Sequence, residues 1–165
     1  MIRFTTSQTP PQPLNPETED PRALVYIEAD HSFLARGMVH GPYAVLVNDL
    51  ELSITSEGEV VGADGYAPRE AWQPTTAAPP PAARGQVRVE GLPPNIGAGM
   101  SVRLTSPSEW PTYFNTEAGW LCIGKPQSPD GAQAIRIDAG VVLVIQGQEL
   151  ASIWLPVNFE AGRVG

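Results

Sequence analysis

The chain has 165 residues, of which 42% are hydrophobic, and this length and composition suit one domain with a packed core. Its formal net charge at pH 7 is −8. Binding to nucleic acid or to an anionic membrane surface needs clustered Lys and Arg, so the acidic balance argues against both. It permits a protein partner, in particular a basic one.

The acidic residues are concentrated in the first half of the chain. Residues 1–73 contain eleven acidic residues and four arginines, whereas residues 85–165 contain seven acidic and five basic residues. We expect an acidic surface that steers a protein partner toward the domain. The side chains predicted to form it are Asp49, Glu51, Glu57, Glu59 and Asp64.

The single cysteine, Cys122, excludes a disulfide bond within the chain. Met1 to Phe4 is followed by polar residues and prolines, not by the apolar stretch of a secretion signal. No stretch approaches the roughly 18 apolar residues that a membrane-spanning helix needs. These features predict a cytoplasmic protein.

Residues 1–22 are predicted to form a proline-rich arm, and residues 23–165 a single domain. Five prolines between residues 7 and 22 remove hydrogen-bond donors and fix φ, which excludes a regular element there. If Ile2 to Thr6 pairs as an edge strand, the arm is held at both ends. Otherwise it is a tail.

Short apolar stretches separated by turn residues predict strands in the first half of the domain, among them Leu24 to Glu28 and Tyr43 to Val47. From Leu46 to Ile54 apolar and polar residues alternate, imperfectly at first and then regularly. This pattern is typical of a strand with one buried face, so we assign Asn48 and Asp49 to that strand. A hairpin is predicted to close at Gly58.

Residues 74–84 form a second proline-rich stretch, which follows one predicted helical turn at residues 67–72. Three consecutive prolines can form a polyproline II helix that a partner recognises. No flanking basic or aromatic pattern specifies such a partner, so we interpret this stretch as a connector. About 50 residues before it are too few for a stable separate domain, so we expect the connector to cross between or around the sheets of one domain.

Residues 119–159 are the most apolar and regular part of the chain, and they predict four strands at 120–123, 134–138, 141–146 and 149–157. Tight turns at Gly140 and Gly147 make the last three an antiparallel C-terminal β-meander. The whole chain predicts an all-β fold, an antiparallel sandwich or distorted barrel of about ten short strands with little or no helix. The candidate core residues of the last third are Trp120, Cys122, Ile135, Val142, Val144, Ile153 and Leu155.

No group of residues in the sequence indicates catalysis. Cys122 with His31 or His40 is a conceivable nucleophile and base. Cys122 lies in an apolar strand, however, where cysteine packs as a small hydrophobic residue. We therefore expect a protein that is not an enzyme.

The acidic pairs Asp49–Glu51 and Glu57–Glu59 share strand faces at i, i+2 spacing, which is more typical of a solvated surface than of a glycosidase site. Two histidines and one cysteine cannot supply the four N or S ligands of a structural zinc site. We expect neither a metal nor a cofactor.

Trp72, Trp110 and Tyr113 are the candidate ligand-contact residues. Trp110 lies in a predicted surface loop, and exposed Trp and Tyr often contact carbohydrates or proteins. For Trp72 and Trp110, packing against the core is the alternative interpretation.

Three functions follow from these observations. The first is a non-enzymatic protein-interaction domain with an acidic face, of the kind found in inhibitors or immunity proteins. The second is a structural or assembly subunit of a phage-like particle, which the proline-rich arm and the β content suit. The third is a β-domain that binds a carbohydrate or small ligand through Trp110 and Tyr113.

Overall fold

A computed structural model describes residues 2–8, 24–35, 41–137 and 140–159. These ranges contain fourteen strands, two single turns of 3-10 helix at Glu28–Asp30 and Arg69–Ala71, and no α-helix. The predicted all-β sandwich is confirmed, although it has more strands than the ten or so expected. The strands are β1 Arg3–Gln8, β2 Leu24–Ile27, β3 Ser32–Ala35, β4 Tyr43–Val47, β5 Leu50–Ile54, β6 Val60–Tyr66, β7 Trp72–Pro74, β8 Ala83–Glu90, β9 Ser101–Arg103, β10 Thr112–Asn115, β11 Trp120–Gly124, β12 Gln133–Arg136, β13 Val142–Gln146 and β14 Glu149–Pro156.

Two mixed sheets make up the sandwich. The large sheet has eight strands in the order β1-β8-β12-β13-β14-β11-β10-β7, and the small sheet has six in the order β2-β3-β6-β5-β4-β9. Three pairs are parallel, namely β4–β9, β7–β10 and β8–β12, and the others are antiparallel. Each parallel pair joins strands separated by a long stretch of chain, because a tight turn can connect only antiparallel neighbours. Within the described ranges, no helix has the length and apolar character needed to cross a membrane.

Two local predictions are confirmed by the strand pairing. β5 and β6 form the hairpin around Gly58, and β12, β13 and β14 form the antiparallel C-terminal meander. The edge strand expected at residues 2–6 is formed by β1 (Arg3–Gln8), which pairs with β8 at the edge of the large sheet. Residues 9–22 of the predicted arm lie outside the described residues.

The predicted continuous strand from Leu46 to Ile54 is wrong. Val47 pairs with Leu50, and Asn48 and Asp49 form the two-residue turn between β4 and β5. Asn48 has φ of 54°, a left-handed conformation that Asn tolerates better than most residues. The alternation concealed this turn because Asp49 falls where a polar strand residue would be, whereas Asn48 falls on the apolar side of the pattern and is the position that breaks it.

β8 connects the two sheets along one side of the sandwich. Its first residues pair with β12 of the large sheet. Further along β8, Arg88 forms an isolated bridge with Glu59, the residue before β6 of the small sheet. The N–H of Val89 donates to the carbonyl oxygen of Gly58 at 2.7 Å. Gly58 has φ of 90°, and a Cβ there would lie 2.7 Å from the Val89 carbonyl oxygen. Only glycine therefore fits at this junction.

The inner core fills the space between the two sheets. Its large side chains are contributed by β2, β3 and β5 of the small sheet and by β1, β11, β12 and β13 of the large sheet. The largest fully buried members are Phe4, Leu24, Tyr26, Phe33, Leu50, Leu52, Ile54, Leu121, Ile123, Ile135 and Leu143.

A second hydrophobic cluster, the outer core, lies on the opposite face of the large sheet. Successive side chains of a strand point to opposite faces, so Leu121 and Ile123 join the inner core while Cys122 between them joins the outer core. The candidate core residues of the last third are confirmed as buried, except that Trp120 is only partly buried at the start of β11. The outer core consists of Cys122, Val142, Val144 and Trp154, with Ala77, Ala82, Tyr113, Trp120, Ala132, Ala134 and Ala151 packed against it.

Residues 75–82, which we call the strap, cross the outer face of the large sheet. Ala77 and Ala82 pack against the outer core. The N–H of Thr75 donates to the Phe114 carbonyl oxygen at 3.1 Å, and the Asn115 amide donates to the Ala77 carbonyl oxygen at 2.9 Å. The predicted connector 74–84 thus comprises this strap, the last residue of β7 and the first two residues of β8.

The strap is nearly as long as the sheet is wide. It leaves β7 at one edge and joins β8, which lies six strand spacings away. At about 4.8 Å per spacing, this distance is about 29 Å. Nine residue steps lead from Pro74 to Ala83, and in a polyproline II conformation they cover about 28 Å. The consecutive prolines 79–81 favour the extended conformation that this crossing requires.

Candidate ligand-binding site

The loop between β9 and β10 is attached to the Asn48 turn through the backbone of Trp110. Oδ1 of Asn48 accepts hydrogen bonds from the Trp110 N–H at 3.2 Å and from Oγ1 of Thr105 at 2.8 Å. Nδ2 of Asn48 donates to the Trp110 carbonyl oxygen at 3.0 Å. One side-chain amide therefore fixes both polar groups of the Trp110 backbone.

Arg103 strengthens the same attachment from β9. Its guanidinium donates to the carbonyl oxygens of Asn48 and Thr105. It also contacts the carboxylate of Asp49, with Nη2 3.4 Å from Oδ1. Both side chains of this ion pair are more than a third exposed, so the pair itself contributes at most about 1 kcal/mol.

The indole of Trp110 lies against Gly124 at the end of β11. A Cβ on Gly124 would come within 3.1 Å of Cε3 of Trp110 and within 2.6 Å of the Ala151 carbonyl oxygen. Gly124 also has φ of 110°, a conformation that side chains disfavour. Glycine at this position is what allows the ring to pack closely on the sheet.

Trp110 separates two cavities, the outer groove and the inner cleft. The outer groove has a volume of about 430 Å³ and lies on the side of Tyr113. Its walls are Trp110, Pro111, Tyr113, Gly124, Lys125, Pro126, Gln146, Glu149, Leu150 and Ala151.

The inner cleft is smaller, with a volume of about 250 Å³, and lies between the end of β6 and the Trp110 loop. It combines three aromatic rings with several polar side chains. Its walls are Asn48, Asp49, Tyr66, Ala67, Pro68, Ala71, Trp72, Gln73, Ser108, Trp110, Pro111, Thr112 and Ile123.

Trp110 and Tyr113 both line the outer groove, whereas Trp72 does not. Trp72 belongs mainly to an aromatic cluster inside the sandwich, with ring centroids 4.8 Å from Tyr26 and 5.1 Å from Phe114. It also forms part of the inner-cleft wall, and its buried Nε1–H has no hydrogen-bond partner among the described residues. Packing is therefore the main role of Trp72, as the alternative interpretation held.

The five predicted acidic residues do not lie at one place. Glu51 and Asp64 occupy directly opposite positions on β5 and β6, so they share the outer face of the small sheet. Asp49 lies in the turn before β5 and contacts Arg103. Glu57 and Glu59 lie beyond the other end of β5, in the hairpin that contacts β8.

Cys122 is completely buried, which confirms that it packs as a small hydrophobic residue. Burial raises the pKa of its thiol to about 12, so the nucleophilic thiolate is scarce at neutral pH. His31 directly follows the 3-10 turn after β2, with its ring centroid 6.2 Å from that of Tyr66, and His40 lies outside the described residues. In the described part of the chain, no three His, Cys, Asp or Glu side chains are grouped closely enough to hold a metal ion.

Several residues of the two cavities were not predicted from the sequence. Gln146 and Glu149 are paired at the end of the β13–β14 hairpin, and the pairing of β11 with β14 brings Lys125 to them. The position of Asn48, by contrast, could have been predicted from the local sequence. An Asn followed by Asp between two apolar stretches is a recognisable two-residue hairpin turn.

No family model matches the chain, and no curated protein or solved structure is significantly similar to it.

The buried thiol predicts a pH dependence of stability. The pKa of Cys122 is raised from 9.0 to about 12 in the folded protein, so the folded state retains the proton longer than the unfolded state. This contribution is fully present below pH 9 and is lost as the pH rises toward 12. Between pH 8 and pH 11, the free energy of unfolding should fall by about 2 kcal/mol more in the wild type than in Cys122→Ala.

Urea denaturation of both proteins at each pH measures this difference. The comparison with Cys122→Ala is needed because burial also raises the pKa of Tyr26, which titrates in both proteins. Parallel pH profiles for the two proteins would show that Cys122 is not held in a buried, protonated state.

Proposed function

We propose that this chain is a non-enzymatic binding domain that holds a carbohydrate in the outer groove. The observation that carries the proposal is that Trp110 and Tyr113 line the same cavity of about 430 Å³. This volume lies within the usual range for ligand sites, about 300–1,000 Å³. Aromatic side chains offer flat apolar surfaces on which the C–H face of a sugar ring can stack.

The polar part of the groove suits the hydroxyl groups of a sugar. Lys125, Gln146 and Glu149 are exposed side chains that supply hydrogen-bond donors and acceptors at its rim. Lys125 and Glu149 carry opposite charges, so together they do not select for a charged ligand. A neutral polyhydroxylated molecule matches this combination of rings and polar groups better than an ion does.

The aromatic walls are held in place before any ligand arrives. The Trp110 backbone is fixed by Asn48, and its ring packs against Gly124. Tyr113 is part of β10, which pairs with β11 on one side and β7 on the other. A rigid site loses little conformational entropy on binding, which favours affinity for a weakly interacting ligand such as a sugar.

A glycan array followed by calorimetry tests this proposal. The wild type should bind at least one glycan, and Tyr113→Ala and Trp110→Ala should each weaken its affinity at least tenfold, which corresponds to about 1.4 kcal/mol of lost stacking. Lys125→Ala, which removes an exposed rim residue, should weaken binding without lowering thermal stability. Met100→Ala is the control, because Met100 is 52% exposed and lies outside the groove.

An array on which the wild type binds no glycan would overturn the proposal. Equal affinity of the wild type and a folded Tyr113→Ala variant would overturn the assignment of the site.

A second candidate function is recognition of a basic protein by the outer face of the small sheet. The observation that favours it is the placement of Glu51 opposite Asp64 on adjacent strands, on a face that solvent reaches. Adjacent carboxylates concentrate negative potential, which accelerates association with a basic partner and makes it sensitive to salt.

Affinity capture from the source cells at increasing salt tests the second candidate. The wild type should retain a basic protein at low salt, and Glu51→Gln combined with Asp64→Asn should retain much less of it. Glu70→Gln combined with Glu117→Gln makes the same change in net charge at other exposed positions and should behave as the wild type. Capture that is insensitive to salt, or equal for the two double variants, would rule this function out.

A further inference from the structure

The two cavities on either side of Trp110 lie on opposite faces of the same pair of strands. Thr112 of β10 and Ile123 of β11 face the inner cleft, whereas the next residues, Tyr113 and Gly124, face the outer groove. This follows from the alternation of side chains along a strand. Trp110 and Pro111 belong to the walls of both cavities, so they form a ridge between them.

The ridge lies where the strands end, which leaves a path from one cavity to the other. Pro111 immediately precedes β10, and Gly124 is the last residue of its neighbour β11. Beyond the hydrogen bond that the Gly124 N–H donates to the Pro111 carbonyl oxygen, β10 and β11 make no further pairing within the described residues. A ligand in the outer groove can therefore continue over the ridge into the inner cleft.

The inner cleft has the same mixture of groups as the outer groove. Tyr66 is 44% exposed and presents an aromatic ring that is available for stacking. Gln73, Ser108 and Thr112 line the cleft, and their side chains make no hydrogen bond to another described residue. These groups are free to bind hydroxyl groups.

The inner cleft is so small that we interpret it as an extension of the outer groove and not as a separate site. Its volume of about 250 Å³ falls below the usual range for an independent ligand pocket, about 300–1,000 Å³. Combined with the outer groove, it lies well within that range. An elongated ligand can use both cavities, whereas a compact one can use only the outer groove.

We infer that the ligand is a linear, uncharged oligosaccharide that crosses the Trp110–Pro111 ridge, with one end in the outer groove and the other in the inner cleft. This inference rests on the proposed function, because it extends the site on the outer groove. Tyr113 and Tyr66 then contact sugar units on opposite sides of Trp110. The inner cleft selects for chain length, since a short sugar bound in the outer groove does not reach it.

Calorimetry with cello-, xylo-, malto- and chito-oligosaccharides of one to six units tests the inference. For at least one series, the wild-type affinity should rise at least tenfold between the dimer and the hexamer. Tyr66→Ala and, separately, Gln73→Ala should reduce the affinity for the hexamer toward that for the dimer, while the affinity for the dimer stays unchanged. Tyr113→Ala should weaken binding at every length.

Gln73 is exposed, so its substitution keeps the test valid if Tyr66→Ala disturbs the fold. Binding that does not depend on chain length, or a hexamer affinity unaffected by Gln73→Ala and by a folded Tyr66→Ala, would overturn the inference and leave the outer groove as the whole site. If none of the four series binds at any length, the inference is wrong, and the glycan array decides separately on the proposed function.

Discussion

The central strands of the large sheet, β11, β13 and β14, are buried on both faces, and the fold depends on how their second face is covered. The inner face packs against the small sheet, as in any sandwich. The outer face carries Cys122, Val142, Val144 and Trp154, all almost completely buried. The strap crosses this face and places Ala77 and Ala82 on the outer core. With six strand spacings to cross, it has almost no spare length.

The same arrangement positions the candidate site. Burial on both faces makes β11 part of a rigid layer, and β10 is paired to it, so Tyr113 and Gly124 are fixed relative to each other. The Asn48 turn of the small sheet then holds Trp110 over Gly124 through its side-chain amide. The site thus depends on both sheets, and the ridge formed by Trp110 and Pro111 divides it into two cavities with similar chemistry.

The sequence predicted the features that local patterns determine, such as the hairpin around Gly58 and the C-terminal meander. Val141 to Ile145 is apolar throughout because this strand is buried on both sides of the sheet. The sequence did not reveal this, since a continuous apolar stretch is equally compatible with other environments. Trp110 and Tyr113 were recognised as candidates from their residue type. Lys125 and Glu149 were not, because strand pairing between distant segments brings them to the groove.

Varying the length of the strap tests the central claim most directly. Ala78 is exposed, so its deletion shortens the strap without removing a buried side chain, and inserting one glycine after Ala78 is the matched control. The free energy of unfolding and the rate of Cys122 modification by a thiol reagent should be measured for both variants. The deletion should destabilise the protein by more than about 2 kcal/mol and expose Cys122, whereas the insertion should cost less than about 1 kcal/mol. Equal stability and equally slow modification of the two variants would show that the strap has slack and does not hold the outer face closed.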